Sequence, residues 1–118
     1  AEIGVGNNFE TALSLLKEGR RIFCTDIRQP EETYGVPFII DDLFSPNQTL
    51  YRDVDLIYAI RPGEEMVPAL IGLTHKVNCD LIVYHLGFEG FEGRGEIIDC
   101  GVILHRYYKG QKPSKSLF

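Results

Sequence analysis

Residues 1–19, AEIGVGNNFETALSLLKEG, place two glycines and two asparagines directly before an amphipathic run. Apolar side chains recur through this run at the spacing of one helical face. They are Phe9, Ala12, Leu13 and Leu16. The pattern predicts a strand, a tight turn and a helix that packs on a sheet, with Asn7 and Glu10 capping the helix and Gly19 ending it.

Four more apolar segments follow, separated by polar or proline-bearing stretches. They are residues 20–27, 36–43, 54–60 and 79–86. Residues 64–77 carry a helical stripe, in which Pro68 is tolerated only within the first turn. Strands rich in Val, Ile and Leu alternate with helical or irregular segments that cross from one strand to the next. This alternation predicts a mostly parallel sheet covered on both faces. The glycine-rich link 87–96 is too short for a helical crossover, so we expect residues 97–108 to form one long antiparallel strand at or near an edge.

The composition fits a single domain over residues 1–118. At 118 residues and 13.4 kDa, with 44% hydrophobic and 25% charged residues, the chain can bury one core. Few residues precede the first glycine, so we expect a segment to have been trimmed from the N-terminus. The net charge of -5 disfavours general nucleic-acid binding, and we interpret the basic tail 109–118 as a solvated end.

Cys24, Cys79 and Cys100 each lie in apolar sequence. Their odd number and wide spacing predict buried free thiols in a reducing compartment rather than a disulfide or a metal site. The sequence shows no apolar run long enough to cross a bilayer and no secretory leader. We therefore expect a cytoplasmic protein with no membrane partner.

Polar features follow the predicted strands at the edge where parallel sheets bind ligands. Gly4 and Gly6 lack the Cβ atoms that would block a ligand, and the helix start offers backbone N–H groups. Asp26 lies twenty positions after Gly6, about where a carboxylate accepts the hydroxyls of an adenosine ribose. Asp42 can accept from an adenine amine. The residues after the two carboxylates suit the faces of the ring, and these are Ile27 and Leu43.

Each feature also has an ordinary structural interpretation. The glycines can serve only a tight strand-to-helix turn, and Asp26 can be a polar strand end. Asp41 and Asp42 can form an exposed acidic corner, or Asp42 can cap a short turn. The order and spacing of the features together favour a ligand, and we expect Glu2, Asp26 and Asp42 to surround a common hollow.

The glycine pattern distinguishes two classes of cofactor. A dinucleotide fingerprint has a third glycine where this chain has Phe9, which makes an NAD-binding domain the less favoured alternative. Glu2 stands two positions before Gly4. The resulting E-x-G-x-G pattern suits a ligand with a cationic amino-acid end.

Four segments resemble the successive motifs of class I methyltransferases that use S-adenosylmethionine. They are EIGVG (2–6), TDI (25–27), IIDDLFSP (39–46) and DLIYAIRP (55–62). More narrowly, the run from Ala1 to about Leu86 resembles a small, functionally uncharacterised archaeal family with a Rossmann-like fold. The resemblance implies a three-layer, Rossmann-like (S-adenosylmethionine methyltransferase-like) α/β fold with S-adenosylmethionine as cofactor.

Carried onto the matching positions, the resemblance implies a methionine-end site, a ribose acceptor and adenine contacts. The cofactor-binding candidates are Glu2, Gly4, Gly6, Asn7, Asp26, Ile27, Asp42 and Leu43. Members of the superfamily that methylate amines carry Asn-Pro-Pro-Tyr where this chain has Ile60, Arg61 and Pro62, which argues against amine methylation.

The sequence does not define a catalytic base. Arg61 is a candidate for binding an anionic substrate group, with a local salt bridge as the alternative. His85, at the end of the fifth predicted strand, is the candidate for acid–base chemistry. We interpret His75 as a surface or boundary residue and His105 as a packing or solvent-facing residue. Residues 87–95 can form a lid over the site or only a flexible link.

The favoured prediction is a domain that binds S-adenosylmethionine or a related adenosine compound, with methyl transfer to an unknown acceptor left open. The first alternative is a non-catalytic nucleotide sensor or a degenerate relative that self-associates as a homodimer through a sheet edge. The second alternative is an NAD-binding domain.

Overall fold

The computed structural model describes residues 1–85 and 95–111. The described chain is an α/β structure, as predicted, with a mostly parallel sheet and two α-helices. The elements are β1 (Glu2–Ile3), α1 (Glu10–Lys17), β2 (Cys24–Asp26), β3 (Phe38–Ile40), a 3-10 helix (Gln48–Tyr51), β4 (Leu56–Ile60), α2 (Met66–Val77), β5 (Asp80–Tyr84), β6 (Glu96–Asp99) and β7 (Ile103–Tyr108).

The sheet has the strand order β3-β2-β1-β4-β5-β7-β6. The first five strands in chain order pair in parallel, whereas β7 is antiparallel to β5 and β6 is antiparallel to β7. Since β1 lies between β2 and β4, the direction in which successive strands are added reverses beside β1. That reversal is where open parallel sheets form a crevice at the carboxyl ends of their strands.

The C-terminal part of the sheet differs from the prediction in one respect. Residues 97–108 form a hairpin and not one long strand, because the chain turns between β6 and β7. Gly101 takes a φ of 97°, and the Cys100 N–H donates to the Val102 carbonyl at 3.1 Å. The antiparallel pairing that was predicted is confirmed. The predicted link or lid lies almost wholly in residues 86–94, and most of the basic tail lies in residues 112–118, both outside the described residues.

The apolar core is divided between the two faces of the sheet. Along β4, Ile57 and Ala59 belong to a buried cluster with Leu70 of α2, whereas Tyr58 packs against a second cluster that contains Phe9 and Ala12. Successive residues of a strand point to opposite faces. The two α-helices therefore cover opposite faces, and the part of the chain that the structure describes is layered as helix, sheet and helix.

The helix boundaries follow local signals, with one correction. The N-cap residue of α1 is Phe9, which makes no side-chain cap bond; the Glu10 N–H donates to Asn8 Oδ1 at 3.1 Å, just before the helix. The predicted cap from Asn7 is wrong, since Asn7 Oδ1 accepts the Glu31 N–H at 3.2 Å. Gly19 follows the helix with a φ of 82°, as expected for a helix exit. Pro68 is the third residue of α2, within its first turn, as predicted.

The segment between β3 and β4 carries more structure than the sequence indicated. Asn47 Oδ1 accepts the Thr49 N–H at 3.2 Å and so caps the 3-10 helix. Tyr51 ends that helix and is only 1% exposed. Its hydroxyl hydrogen-bonds with Thr25 Oγ1 at 3.2 Å and with Asp41 Oδ2 at 3.0 Å. This side chain therefore ties the loop to the carboxyl ends of β2 and β3.

The cysteine prediction is confirmed at two positions and wrong at the third. Cys24 and Cys79 are buried free thiols, but Cys100 is exposed because it lies in the hairpin turn. Among the described residues, neither α-helix has the length and apolar content that a membrane-spanning helix needs.

Candidate functional site

The glycine turn and Asp26 form one connected unit at the carboxyl ends of β1 and β2. Gly4 and Gly6 have φ angles of 76° and 59°, a backbone region that favours glycine. The Gly6 N–H donates to Asp26 Oδ2 at 2.7 Å, and the Ile27 N–H donates to Asp26 Oδ1 at 2.7 Å. The carboxylate is therefore fixed in position, and each oxygen keeps further acceptor capacity.

The surface above this unit is open at one glycine and closed at the other. A Cβ on Gly6 would meet nothing within 4 Å, so a ligand can approach the backbone there. A Cβ on Gly4 would lie 3.1 Å from the Met66 side chain of α2. Gly4 therefore serves close packing as well as the turn, while Gly6 is the glycine that offers exposed backbone.

Asp41 and Asp42 have different roles. Both oxygens of Asp41 bond to the segment that follows β3, because Oδ1 accepts the Asn47 N–H at 3.0 Å and Oδ2 bonds with the buried Tyr51 hydroxyl. Asp42 is exposed, and its Oδ1 accepts the Phe44 N–H at 2.9 Å. Asp42 therefore caps a turn through its Oδ1, as one of the structural interpretations predicted. Its other oxygen keeps acceptor capacity for a ligand.

Exposed apolar side chains surround these strand ends. Ile27 is 60% exposed and Phe44 is 62% exposed. Leu43, a predicted adenine contact, is only 7% exposed and packs into the core. The turn that Asp42 caps directs Leu43 inward, so that the exposed apolar residue is its neighbour Phe44. Sequence reasoning missed Phe44, for which the Asp42 turn was the available signal.

Glu2 lies in a different environment. It is 2% exposed, and the Tyr58 hydroxyl donates to its Oε1 at 2.8 Å. Burial raises the pKa of the Glu2 carboxyl above its ordinary value, and the hydrogen bond from Tyr58 partly opposes that shift. Burial likewise raises the pKa of Tyr58, with the Glu2 charge adding to the effect.

A cavity of about 580 Å³ lies beside Glu2. Asn8 and Arg61 also line this Glu2 cavity, but neither Asp26 nor Asp42 does. The cavity therefore does not supply the common hollow that was expected around Glu2, Asp26 and Asp42. Glu2 and Asp26 nevertheless point to the same face of the sheet, because Glu2 pairs with Cys24 and Asp26 lies two residues beyond Cys24 on β2.

Arg61 follows β4 directly and has an unusual backbone. Its φ is 50°, which is uncommon for a residue other than glycine, and its N–H donates to the Tyr84 carbonyl at 2.8 Å. Its guanidinium carbon lies 6.0 Å from the centre of the Tyr84 ring, at the outer limit of a cation–π contact. Neither of the two ion pairs found among the described residues involves Arg61.

His85 belongs to a cluster of rings after β5. Its Nε2 lies 2.6 Å from the Tyr107 hydroxyl, and its ring centre lies 5.1 Å from that of His105. His105 is buried, and no described residue bonds to its Nδ1. His75 is exposed and contacts the Tyr108 ring at a centre-to-centre distance of 3.9 Å. Among residues 1–85 and 95–111, no three metal-binding side chains converge.

These features define an α/β protein with a glycine turn held by a strand-end carboxylate. Residues 1–95 match the model of the Uncharacterised protein family (UPF0146), and the chain belongs to that family. The predicted resemblance to an uncharacterised archaeal family is therefore confirmed, while the link to methyltransferases stays a prediction.

Three relatives illustrate the family membership. A UPF0146 protein of Methanocaldococcus jannaschii is 40% identical over 87 residues, which cover 70% of this chain and 63% of the relative. A UPF0146 protein of Archaeoglobus fulgidus is 31% identical over 93 residues, covering 79% and 72%. One from Pyrococcus horikoshii is 36% identical over 89 residues, covering 72% and 68%. The match thus spans less than two thirds of the Methanocaldococcus jannaschii protein.

Proposed function

We propose that this chain binds an adenosine compound, with S-adenosylmethionine as the favoured ligand, at the carboxyl ends of β1 and β2. The observation that carries the proposal is the Asp26 carboxylate, which two backbone N–H groups fix beside the exposed Gly6 turn. A prepositioned carboxylate at the strand-order reversal suits the paired hydroxyls of a ribose. Methyl transfer would be a further property of the bound complex.

The ribose fits Asp26 because of its remaining acceptor capacity. Each oxygen already accepts one short bond from the backbone, which leaves one lone pair on each for the 2′ and 3′ hydroxyls. Hydrogen bonds to an ionised acceptor are about twice as strong as neutral ones. Discrimination between ribose and a sugar without these hydroxyls is therefore expected to be large.

The adenine ring would lie towards β3. Ile27 and Phe44 expose apolar surface near the carboxyl ends of β2 and β3, and Asp42 offers an exposed carboxylate to the exocyclic amine. Apolar walls with a few placed polar groups are usual in small-molecule sites. This arrangement replaces the predicted contact from Leu43 with one from Phe44.

The residue at the third position of the dinucleotide fingerprint favours S-adenosylmethionine over NAD. Phe9 is 2% exposed and packs in the core with Ala12, so a bulky ring fills the place where the fingerprint has glycine. Close packing of helix and strand around a pyrophosphate needs that glycine. A ligand without a pyrophosphate avoids the difficulty.

Calorimetry with S-adenosylmethionine, S-adenosylhomocysteine, NAD and ATP tests the proposal. We expect the first two to bind more tightly than NAD, and Asp26→Ala to abolish measurable binding. Asp26→Asn keeps one acceptor oxygen for the turn and is expected to weaken binding by about 10- to 100-fold. Asp53→Ala, which removes an exposed carboxylate beyond the 3-10 helix, is the matched control and should bind normally.

Two results would count against the proposal. Tighter binding of NAD than of S-adenosylmethionine would reverse the assignment of the ligand. Binding of none of the four compounds by a folded protein would leave the Asp26 unit as a structural turn.

Self-association through a sheet edge is the second candidate function. β3 is an outer strand of the sheet, and two of its three residues expose apolar side chains, Ile39 at 38% and Ile40 at 57%. Unpaired edges of this kind can pair with another chain. Light scattering after gel filtration should then show a dimer that Ile40→Lys dissociates, and a monomer at all concentrations would eliminate this candidate.

A further inference from the structure

The Glu2 cavity lies beside α1, on the face of the sheet to which Asp26 also points. Residues of α1 form one wall, and alternate residues of β4, β5 and β7 form the floor. The floor residues are Tyr58, Ile60, Ile82, Tyr84 and Leu104. The volume of about 580 Å³ suits a small molecule, and this floor suits the apolar part of one.

Arg61 reaches this cavity through its unusual backbone. In a regular strand, residue 61 would point to the face opposite Ile60, because successive side chains alternate. The φ of 50° breaks this alternation, and the Arg61 guanidinium carbon lies 6.0 Å from the centre of the Tyr84 ring. Tyr84 pairs with Ile60 and so points to the same face. A backbone conformation that is unfavourable for arginine therefore brings a guanidinium over the cavity floor.

Three charged side chains line the cavity, Glu2, Glu10 and Arg61. Glu2 is already compensated, because the Tyr58 hydroxyl donates to it and the Ala1 ammonium attracts it. Glu10 is exposed on α1, where solvent screens its charge. Arg61 lies three residues beyond Tyr58, the β4 partner of Glu2, so about 10 Å of strand separates Arg61 from Glu2. The Arg61 end of the cavity therefore attracts an anion.

We propose that the Arg61 end of the Glu2 cavity binds the carboxylate of an apolar acid, and that this acid is the methyl acceptor for bound S-adenosylmethionine. The planar guanidinium matches a carboxylate through two parallel hydrogen bonds, and the apolar part of the acid lies on the cavity floor. This inference rests on the proposed adenosine site and adds the chemical class of the acceptor to it.

The strand order places the two ligands close to each other. Asp26 ends β2 and Arg61 follows β4, and β1 is the strand between them. Both residues therefore lie at the carboxyl ends of parallel strands, about two strand spacings or roughly 10 Å apart. The ribose, the sulfonium and the methyl group of S-adenosylmethionine can bridge this gap from Asp26 towards Arg61.

A carboxylate acceptor needs no catalytic base, which agrees with a sequence that defines none. One carboxylate oxygen attacks the methyl carbon, and the new oxygen–carbon bond forms as the carbon–sulfur bond breaks. The electron pair of the broken bond stays on sulfur, so the products are a methyl ester and S-adenosylhomocysteine, and no proton is transferred. The part of Arg61 is to hold the carboxylate in line with the sulfonium.

The binding test uses 3-phenylpropionate as probe and 3-phenylpropanamide as its neutral counterpart. In an NMR titration of the folded chain without cofactor, the acid should bind at least about fivefold more tightly than the amide. Arg61→Gln should remove this preference, whereas Arg61→Lys should keep part of it. Arg21→Gln is the matched control, because Arg21 is exposed and does not line the cavity, and it should leave the preference unchanged.

A second variant narrows the cavity without changing its charges. Thr11 is exposed on α1 and lines the cavity, so Thr11→Trp adds bulk there without altering a buried residue. It should weaken binding of the acid and leave adenosine binding unchanged, which keeps the test decisive if the Arg61 variants do not fold. With methyl-labelled S-adenosylmethionine, the parent protein should form labelled methyl 3-phenylpropionate. Arg61→Gln should raise the KM for the acid at least about fivefold.

Three results would overturn this inference. The first is equal affinity for the acid and the amide, or a preference that survives in Arg61→Gln. The second is that Arg61→Gln weakens S-adenosylmethionine but not adenosine, since Arg61 would then hold the carboxylate of the cofactor. The third is that the acid and S-adenosylmethionine both bind but no methyl ester forms. Failure of the adenosine site gives a different result, because the preference for the acid would then persist while adenosine does not bind.

Discussion

Replacing Tyr51 by phenylalanine removes one hydroxyl from the core and tests how the strand ends are held. The hydroxyl bonds with Asp41 Oδ2 at 3.0 Å and Thr25 Oγ1 at 3.2 Å, and the side chain is 1% exposed. Burial raises the pKa of Tyr51, with the hydrogen bond to Thr25 lowering it and Asp41 raising it further. The hydroxyl therefore stays protonated at ordinary pH and can donate to the Asp41 carboxylate.

The magnitude follows from the partner groups. A hydrogen bond that involves a charged group contributes about 1.5 to 3 kcal/mol to the free energy of unfolding, and the ring itself stays in place. For a chain of 118 residues the entropy of unfolding is about 0.25 kcal/mol per kelvin. The melting temperature of Tyr51→Phe should accordingly fall by about 6 to 12 °C.

Thermal and urea denaturation followed by circular dichroism measure this loss. Tyr34→Phe is the control, because Tyr34 is 59% exposed. The melting temperature of this variant should stay within about 2 °C of that of the parent protein. In a double-mutant cycle, Asp41→Asn combined with Tyr51→Phe should lower the free energy of unfolding by less than the sum of the two single losses. Equal melting temperatures for the two tyrosine variants would refute the argument that this hydroxyl holds the strand ends.

Three further predictions concern packing and thiol reactivity. Gly72→Ala, inside α2 where a Cβ meets nothing within 4 Å, should stabilise the fold by about 0.5 to 1 kcal/mol in urea denaturation. Gly110→Ala should destabilise it by about 1 to 3 kcal/mol in the same assay, because its Cβ would lie 2.7 Å from backbone atoms between α2 and β5. At pH 8, Ellman's reagent should modify one thiol rapidly, since Cys100 is exposed, whereas Cys79 is buried and burial raises the pKa of Cys24 to about 12. Cys100→Ser should remove the fast phase, and rapid reaction of all three thiols in the folded protein would contradict the described burial.

The parallel part of the fold could be predicted because its signals are local. The apolar segments specify the strands, and the helical stripe that follows residues 54–60 specifies a crossover helix. Pro68 marks the first turn of that helix, α2. The hairpin at Gly101 was missed because apolar residues lie on both sides of the turn. A turn of this kind carries little signal until the pairing of β7 with β5 is known.

The candidate site was only partly predictable. The link between Gly6 and Asp26 depends on the pairing of β1 with β2, which the order of the segments indicates. The inward direction of Leu43 and the exposure of Phe44 depend on a turn capped by Asp42, and that geometry is not encoded in spacing alone. Glu2 and Asp26 point to the same face of the sheet, because Glu2 pairs with Cys24 and Asp26 lies two residues beyond Cys24 on β2; what separates them is their position along the strands.

The most direct test of the central claim is an NMR titration with adenosine and 2′,3′-dideoxyadenosine, observed at the Gly6 and Ile27 amides. Both amides donate to Asp26 at 2.7 Å, so a ribose that bonds to this carboxylate must perturb them. We predict that adenosine shifts both signals and binds about tenfold or more tightly than the dideoxy compound. Equal affinities, or no shift at either amide when adenosine is saturating, would contradict the account.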